Sequence, residues 1–180
     1  GHMDAVKVEG GKEIVPLVKK LVEGGIPVMG RVGLTPQRQS ALSGYRVQGK
    51  TVASAMGVYH DALAIQAAGA FAIVLEAVPS RLAEFITSRL DIPTIGIGAG
   101  VGCAGQVLVQ LDMLGVSRLE KGPRFLKKYE EWEGKATDAI GRYVEDVRGR
   151  TYPEEKHGYP MPDAEWEGFL EAIKAEEVKK

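Results

Sequence analysis

Hydrophobic positions along this chain fall into short continuous runs that alternate with helical stripes. Asp4 to Glu9 (DAVKVE) reads as a strand and stops at Gly10-Gly11. Ile14, Val15, Leu17, Val18, Leu21 and Val22 then recur at helical spacing, and Gly24-Gly25 end that helix. Pro27 to Val32 is a second strand, followed by a long polar connection from Gly33 to Lys50. Val52 to Ala68 carries Ala55, Met56, Tyr59, Ala62, Leu63 and Gln66 at helical spacing, with Gly69 as its stop. Phe71 to Leu75 (FAIVL) is continuously apolar, as expected of a strand buried on both faces. Ser80 is placed to cap the next helix, whose stripe is Leu82, Phe85, Ile86 and Leu90. Pro93 to Ile97 and Gln106 to Leu111 read as the fourth and fifth strands. Beyond Leu114 the spacing turns helical at Phe125-Leu126-Tyr129 and again from Ala139 to Val147, with Gly149 and Pro153 as stops. Trp166, Phe169, Leu170 and Ile173 predict a last amphipathic helix.

Strands alternating with helices argue for an α/β protein with parallel strands and crossover helices. A (β/α)8 TIM barrel needs eight strands and typically about 250 residues. Five predicted strands in 180 residues do not close one. Helices on one side only would leave an inner face and two strand edges uncovered. Two architectures follow: an incomplete barrel of about five strands plus C-terminal helices, or an open doubly wound sheet.

Composition narrows the function classes. Lys and Arg number 23 and Asp and Glu 24, giving a net charge of -1. Such balance carries no footprint for nucleic acid, and no basic amphipathic stretch suits a membrane surface. No run is long enough to span a bilayer. Cys103 stands alone, which excludes an internal disulfide and fits a reducing compartment. Residues 1–3 (Gly-His-Met) read as a cloning scar, so the natural N-terminus and any targeting signal are expected to be absent. The expected organisation is a partial barrel domain at 4–153 and a helical tail at 154–180.

Glu76 closes the apolar third strand. Side chains at C-terminal strand ends face the site mouth in parallel α/β folds. A carboxylate against apolar walls is expected to have a raised pKa and to serve as a general base; a solvated strand-end carboxylate is the plainer alternative. Lys7 and Glu9 are two apart in the first strand and share a face. Lys7 is suited to a substrate carboxylate and Glu9 to a hard cation, or the two form a structural ion pair. Gly96-Ile97-Gly98-Ala99-Gly100-Val101-Gly102 has the glycines of a phosphate loop but lacks a Walker lysine. A tight turn beneath the site mouth is the simpler reading. Arg46 and Lys50 read as solvated cations, His60 reads as a satisfied or exposed helix histidine, His157 has no metal-ligand spacing to His60 or Cys103, and Asp112 is best read as a helix cap.

Six segments in one order resemble the ketopantoate hydroxymethyltransferase family. They are Asp4–Gly11 (DAVKVEGG), Gly33–Gln37 (GLTPQ), Gly44–Lys50 (GYRVQGK), Ile73–Pro79 (IVLEAVP), Ile95–Gly100 (IGIGAG) and Gly105–Val109 (GQVLV). The likeness runs from Asp4 to about Pro153. It implies a magnesium-dependent transfer of a hydroxymethyl group from 5,10-methylenetetrahydrofolate to the 2-oxo acid 3-methyl-2-oxobutanoate, giving 2-dehydropantoate for pantothenate synthesis. On that likeness Glu76 is the proton acceptor, Lys7 binds substrate and Glu9 is the magnesium-associated carboxylate. It also implies a homo-oligomer, located in the cytoplasm or, in a eukaryote, the mitochondrial matrix.

Three departures accompany the likeness. The family's earlier strands, which supply further metal and substrate ligands, are not represented. Arg31 stands where the family usually has histidine, and a fixed charge does not replace a titratable imidazole. Ala104 stands where an aspartate is common. The chain alone is therefore expected to be inactive or very weak. Two other readings stay open: a magnesium-dependent lyase of the phosphoenolpyruvate-type barrels, and a non-catalytic half-barrel.

Overall fold

Parallel strands cannot be joined by tight turns, so each crossover must carry a helix or a long loop across one face of the sheet. The computed structural model describes residues 2–36, 46–116 and 122–177. The chain divides into two compact units, Gly1–Glu131 and Trp132–Lys180.

The first unit is built on a five-stranded parallel sheet. Its strands are β1 (Val6–Glu9), β2 (Val28–Gly33), β3 (Ala72–Glu76), β4 (Thr94–Ile97) and β5 (Gly105–Gln106). They lie side by side in chain order. The register pairs Glu9 with Arg31, Gly33 with Glu76, and Glu76 with Ile97. Helices α1 (Val15–Glu23), α2 (Val52–Ala67) and α3 (Ser80–Arg89) form the crossovers. Val18, Val58, Ala62, Ile65, Ala83 and Ile86 from these helices share one core with Val28, Val32, Ile73 and Leu75 from the strands. All three helices thus cover the same face. A doubly wound sheet reverses its strand order and carries helices on both faces; neither feature is present among the described residues.

Helix α2 begins where Thr51 Oγ1 accepts the Ser54 amide at 3.2 Å, and its buried positions recur at Val58, Ala62 and Ile65. Every residue of β3 is buried, as the apolar run predicts. The strand is shifted by one position, however: Phe71 lies before it, 44% exposed, and Glu76 lies within it.

Several sequence expectations need correction. The fifth strand is not Gln106–Leu111. Pairing to β4 stops at Gln106, with one further bond from the Val107 amide to the Gly96 carbonyl at 3.0 Å. Strand β4 itself ends one residue further on, at Ile97, and Gln110–Met113 forms a short helix, α4. The apolar run QVLVQL fits either state by periodicity. Asp112 lies inside α4 and is not its N-cap, which is Val109. Ser80 does not cap α3 either; it is the first helical residue, after Pro79. Phe125, Leu126 and Tyr129 form no helix; the Phe125 ring instead fills the space where a Cβ on Gly98 would lie.

In the second unit, α5 (Trp132–Gly149) ends at the predicted glycine and α6 (Asp163–Glu177) contains the predicted Trp166–Ile173 stripe. Between them Tyr152 packs against Tyr143 and His157, with ring centroids 5.6 and 5.3 Å apart. No helix among the described residues is long and apolar enough to cross a membrane.

Leu75 is fully buried at the centre of the core. Replacement by Ala is expected to cost roughly 2–5 kcal/mol, from lost transfer energy and an unfilled cavity. Urea unfolding of Leu75→Ala against the parent chain measures this.

Candidate functional site

The face of the sheet away from the helices carries the charges. Side chains alternate along a strand, and parallel register keeps paired residues on one side. Lys7 and Glu9 on β1, Arg31 on β2, and Val74 and Glu76 on β3 therefore share this face. The other face holds Val28, Val32, Ile73 and Leu75, packed under the helices.

Three of these residues meet at the C-terminal strand ends. Arg31 Nη1 lies 3.1 Å from Glu9 Oε1. Arg31 Nη2 forms a second ion pair with Glu76 Oε2. The side chains of Glu9, Glu76 and Arg31 are only 7%, 10% and 12% exposed. Glu76 is thus neither a solvated strand-end carboxylate nor an isolated one. Burial lowers the pKa of the Arg31 guanidinium, and the adjacent Glu9 charge pushes it back up. Arginine remains charged under such a change. Its Nε is buried without a hydrogen-bond partner, so the guanidinium is held by its two outer nitrogens and by packing.

The backbone around Glu76 is pinned from three sides. Its carbonyl accepts the Leu34 amide at 2.8 Å. The following residue, Ala77, donates to the Ile97 carbonyl and accepts from the Gln48 amide, both at 2.9 Å. Ala77 has φ 49°, a left-handed conformation unusual for a residue with a Cβ. Opposite Glu76 stands Gly33, at φ 86°. A Cβ there would lie 2.4 Å from the Glu76 carbonyl oxygen. The glycine is therefore required twice, by its dihedral and by the closeness of the next strand.

Of the sequence-predicted residues, Glu9 and Glu76 are brought together through Arg31. Lys7 stays exposed on β1 and outside that three-residue cluster. The glycine segment is a turn satisfied by its own surroundings: Gln106 Nε2 donates to the Gly100 carbonyl at 2.9 Å, and the Ala104 amide donates to Thr94 Oγ1 at 3.2 Å. Arg46 and Lys50 are exposed, and Gly44 and Tyr45 lie outside the described residues. His60 packs beside Tyr59 on α2, and His157 accepts the Glu154 amide at Nδ1. Arg31 was legible only as a departure from a motif, not as a link between two carboxylates. The available signal was a charge in the middle of a strand, which burial would oblige to find partners.

Fold and site together define a class: an α/β protein with a sequentially ordered parallel sheet and a buried charge cluster at its C-terminal strand ends. Within that class the chain belongs to the ketopantoate hydroxymethyltransferase family, whose profile matches residues 1–155. It is 50% identical over 176 residues to the 3-methyl-2-oxobutanoate hydroxymethyltransferase of Emericella nidulans, covering 96% of this chain and 50% of that protein. The enzyme of the same name from Nitratidesulfovibrio vulgaris is 49% identical, covering 94% and 55%. That from Carboxydothermus hydrogenoformans is 53% identical, covering 89% and 58%. The chain thus spans about half the length of the curated relatives it matches.

Magnesium, implied by the family resemblance, needs several converging oxygen ligands. The described residues contain no group of three or more His, Cys, Asp or Glu side chains able to hold a metal. Glu9 is already engaged by Arg31. These residues do not by themselves fit the ion.

Gly33→Ala is expected to destabilise the chain by roughly 1–3 kcal/mol through backbone strain and to displace the Glu76 carbonyl. Chemical denaturation reads the first effect; the Leu34 amide chemical shift and its hydrogen exchange read the second.

Proposed function

We propose that this chain is part of a (β/α)8 barrel enzyme that transfers a hydroxymethyl group to 3-methyl-2-oxobutanoate. The sequential strand order and the helices gathered on one face support the barrel: the charged face would then point to its interior. The observation that carries the chemistry is the buried position of Glu76 at the C-terminal end of β3, 7% exposed, inside the segment that matches the family.

The reaction requires a base beside C3 of the 2-oxo acid. Glu76 takes the C3 proton at Oε1, the carboxylate oxygen that is not paired with Arg31 Nη2, and the electrons left behind move into the adjacent carbonyl to give an enolate. The enolate then forms a carbon–carbon bond to the one-carbon unit of 5,10-methylenetetrahydrofolate; the two carbon–nitrogen bonds that held this carbon break, tetrahydrofolate leaves with its nitrogens protonated, and water supplies the hydroxyl oxygen. Lys7, on the same face, attracts the substrate carboxylate by charge. Leu34, Gln48 and Ile97 fix the backbone on either side of the base, so that Glu76 approaches its proton from one direction. No step is assigned to magnesium, because the described residues do not form its site. The chain covers 50% and 55% of the length of two of its relatives, and the complete transfer by this chain alone is expected to be negligible.

Proton NMR of 3-methyl-2-oxobutanoate in deuterated water tests the assignment. The chain is expected to promote slow loss of the C3 proton signal, and Glu76→Gln to reduce that rate by about 100-fold or more. A folded sample that shows no exchange above the Glu76→Gln control would remove Glu76 as a working base in this chain.

A further inference from the structure

Arg31 bridges two neighbouring strands with two different nitrogens. One is 3.1 Å from Glu9 and the other is ion-paired to Glu76. With all three side chains at most 12% exposed, little water competes for these contacts. One fixed positive charge therefore sits between the carboxylate that the resemblance assigns to metal and the one it assigns to proton transfer.

A divalent cation at Glu9 would have to compete with the guanidinium for Oε1, which lies 3.1 Å from Arg31 Nη1. The guanidinium does not deprotonate, so it cannot yield by losing its charge. Displaced but still nearby, it would repel the incoming dication. Its Nε is already buried and unpartnered, and release of either carboxylate would leave further buried donors unsatisfied. Each of these effects favours the internal ion pairs over a metal.

We propose that Arg31 decides which cation this face accepts: it is a built-in counter-ion that closes Glu9 and Glu76 to divalent metal in this chain. The proposal rests on the reading that places Glu9 and Glu76 in one functional site. Metal binding tests it separately from proton exchange.

The experiment titrates the full 180-residue chain with Mn2+ and counts the free ion by electron paramagnetic resonance. The parent chain is expected to show no saturable binding that depends on Glu9. Arg31→Gln removes the guanidinium shared by Glu9 and Glu76, and is expected to bind Mn2+ at least ~10-fold more tightly than the weakest binding the parent titration would register. That gain should vanish in Arg31→Gln combined with Glu9→Gln. Arg31→Lys keeps the charge, and with it the better prospect of folding. It lacks the planar fork that spans two carboxylates, so an intermediate gain is expected. Saturable Mn2+ binding by the parent chain through Glu9 would overturn the proposal, as would the lack of any gain in both Arg31 variants. Loss of Glu76-dependent proton exchange would remove the base assignment without altering these binding curves.

Discussion

A parallel sheet whose crossover helices all lie on one side has two unlike faces, and the rest of the first unit follows from that asymmetry. Val28, Val32, Ile73 and Leu75 are buried under α1, α2 and α3. The same strands turn Lys7, Glu9, Arg31 and Glu76 the other way. Alternation along each strand enforces the separation, since a shift of one residue would bring the charges under the helices. The apolar face supplies cohesion, and the charged face inherits a rigid platform whose side chains are placed by register.

On that platform the charges must settle among themselves. Two carboxylates on the strands that flank β2, both largely removed from water, need a cation. The guanidinium of Arg31 fills that need through separate nitrogens. Removal of one partner from such a cluster is costly, because the remaining charge stays buried. The glycine opposite Glu76 belongs to the same design: Gly33 leaves room for the β3 backbone and cannot accept a side chain. Stability and site geometry are thus tied at this point, and both depend on how closely β2 approaches β3.

The order of elements was readable from periodicity, since most strands and helices are long enough to show their period. The fifth strand was not, because QVLVQL satisfies both helix and strand patterns and only its pairing to β4 decides between them. Phe125 misled for a related reason: its helical spacing to Tyr129 conceals a packing role against Gly98. Glu76 and Glu9 were visible as charges in strand positions. Their shared partner was not, because Arg31 is 22 residues from Glu9 and 45 from Glu76 in the chain.

By itself the sequence determined the α/β class, the parallel strands, the common face of Lys7 and Glu9, and the family. These are local properties: period, punctuation by glycine and proline, and segments in a recognisable order. Only the tertiary structure decided that the strands run in sequential order, that Glu76 is buried rather than solvated, and that Arg31 joins it to Glu9. Those facts depend on inter-strand register and on which side chains exclude water, and both arise only when residues distant in the chain are packed together.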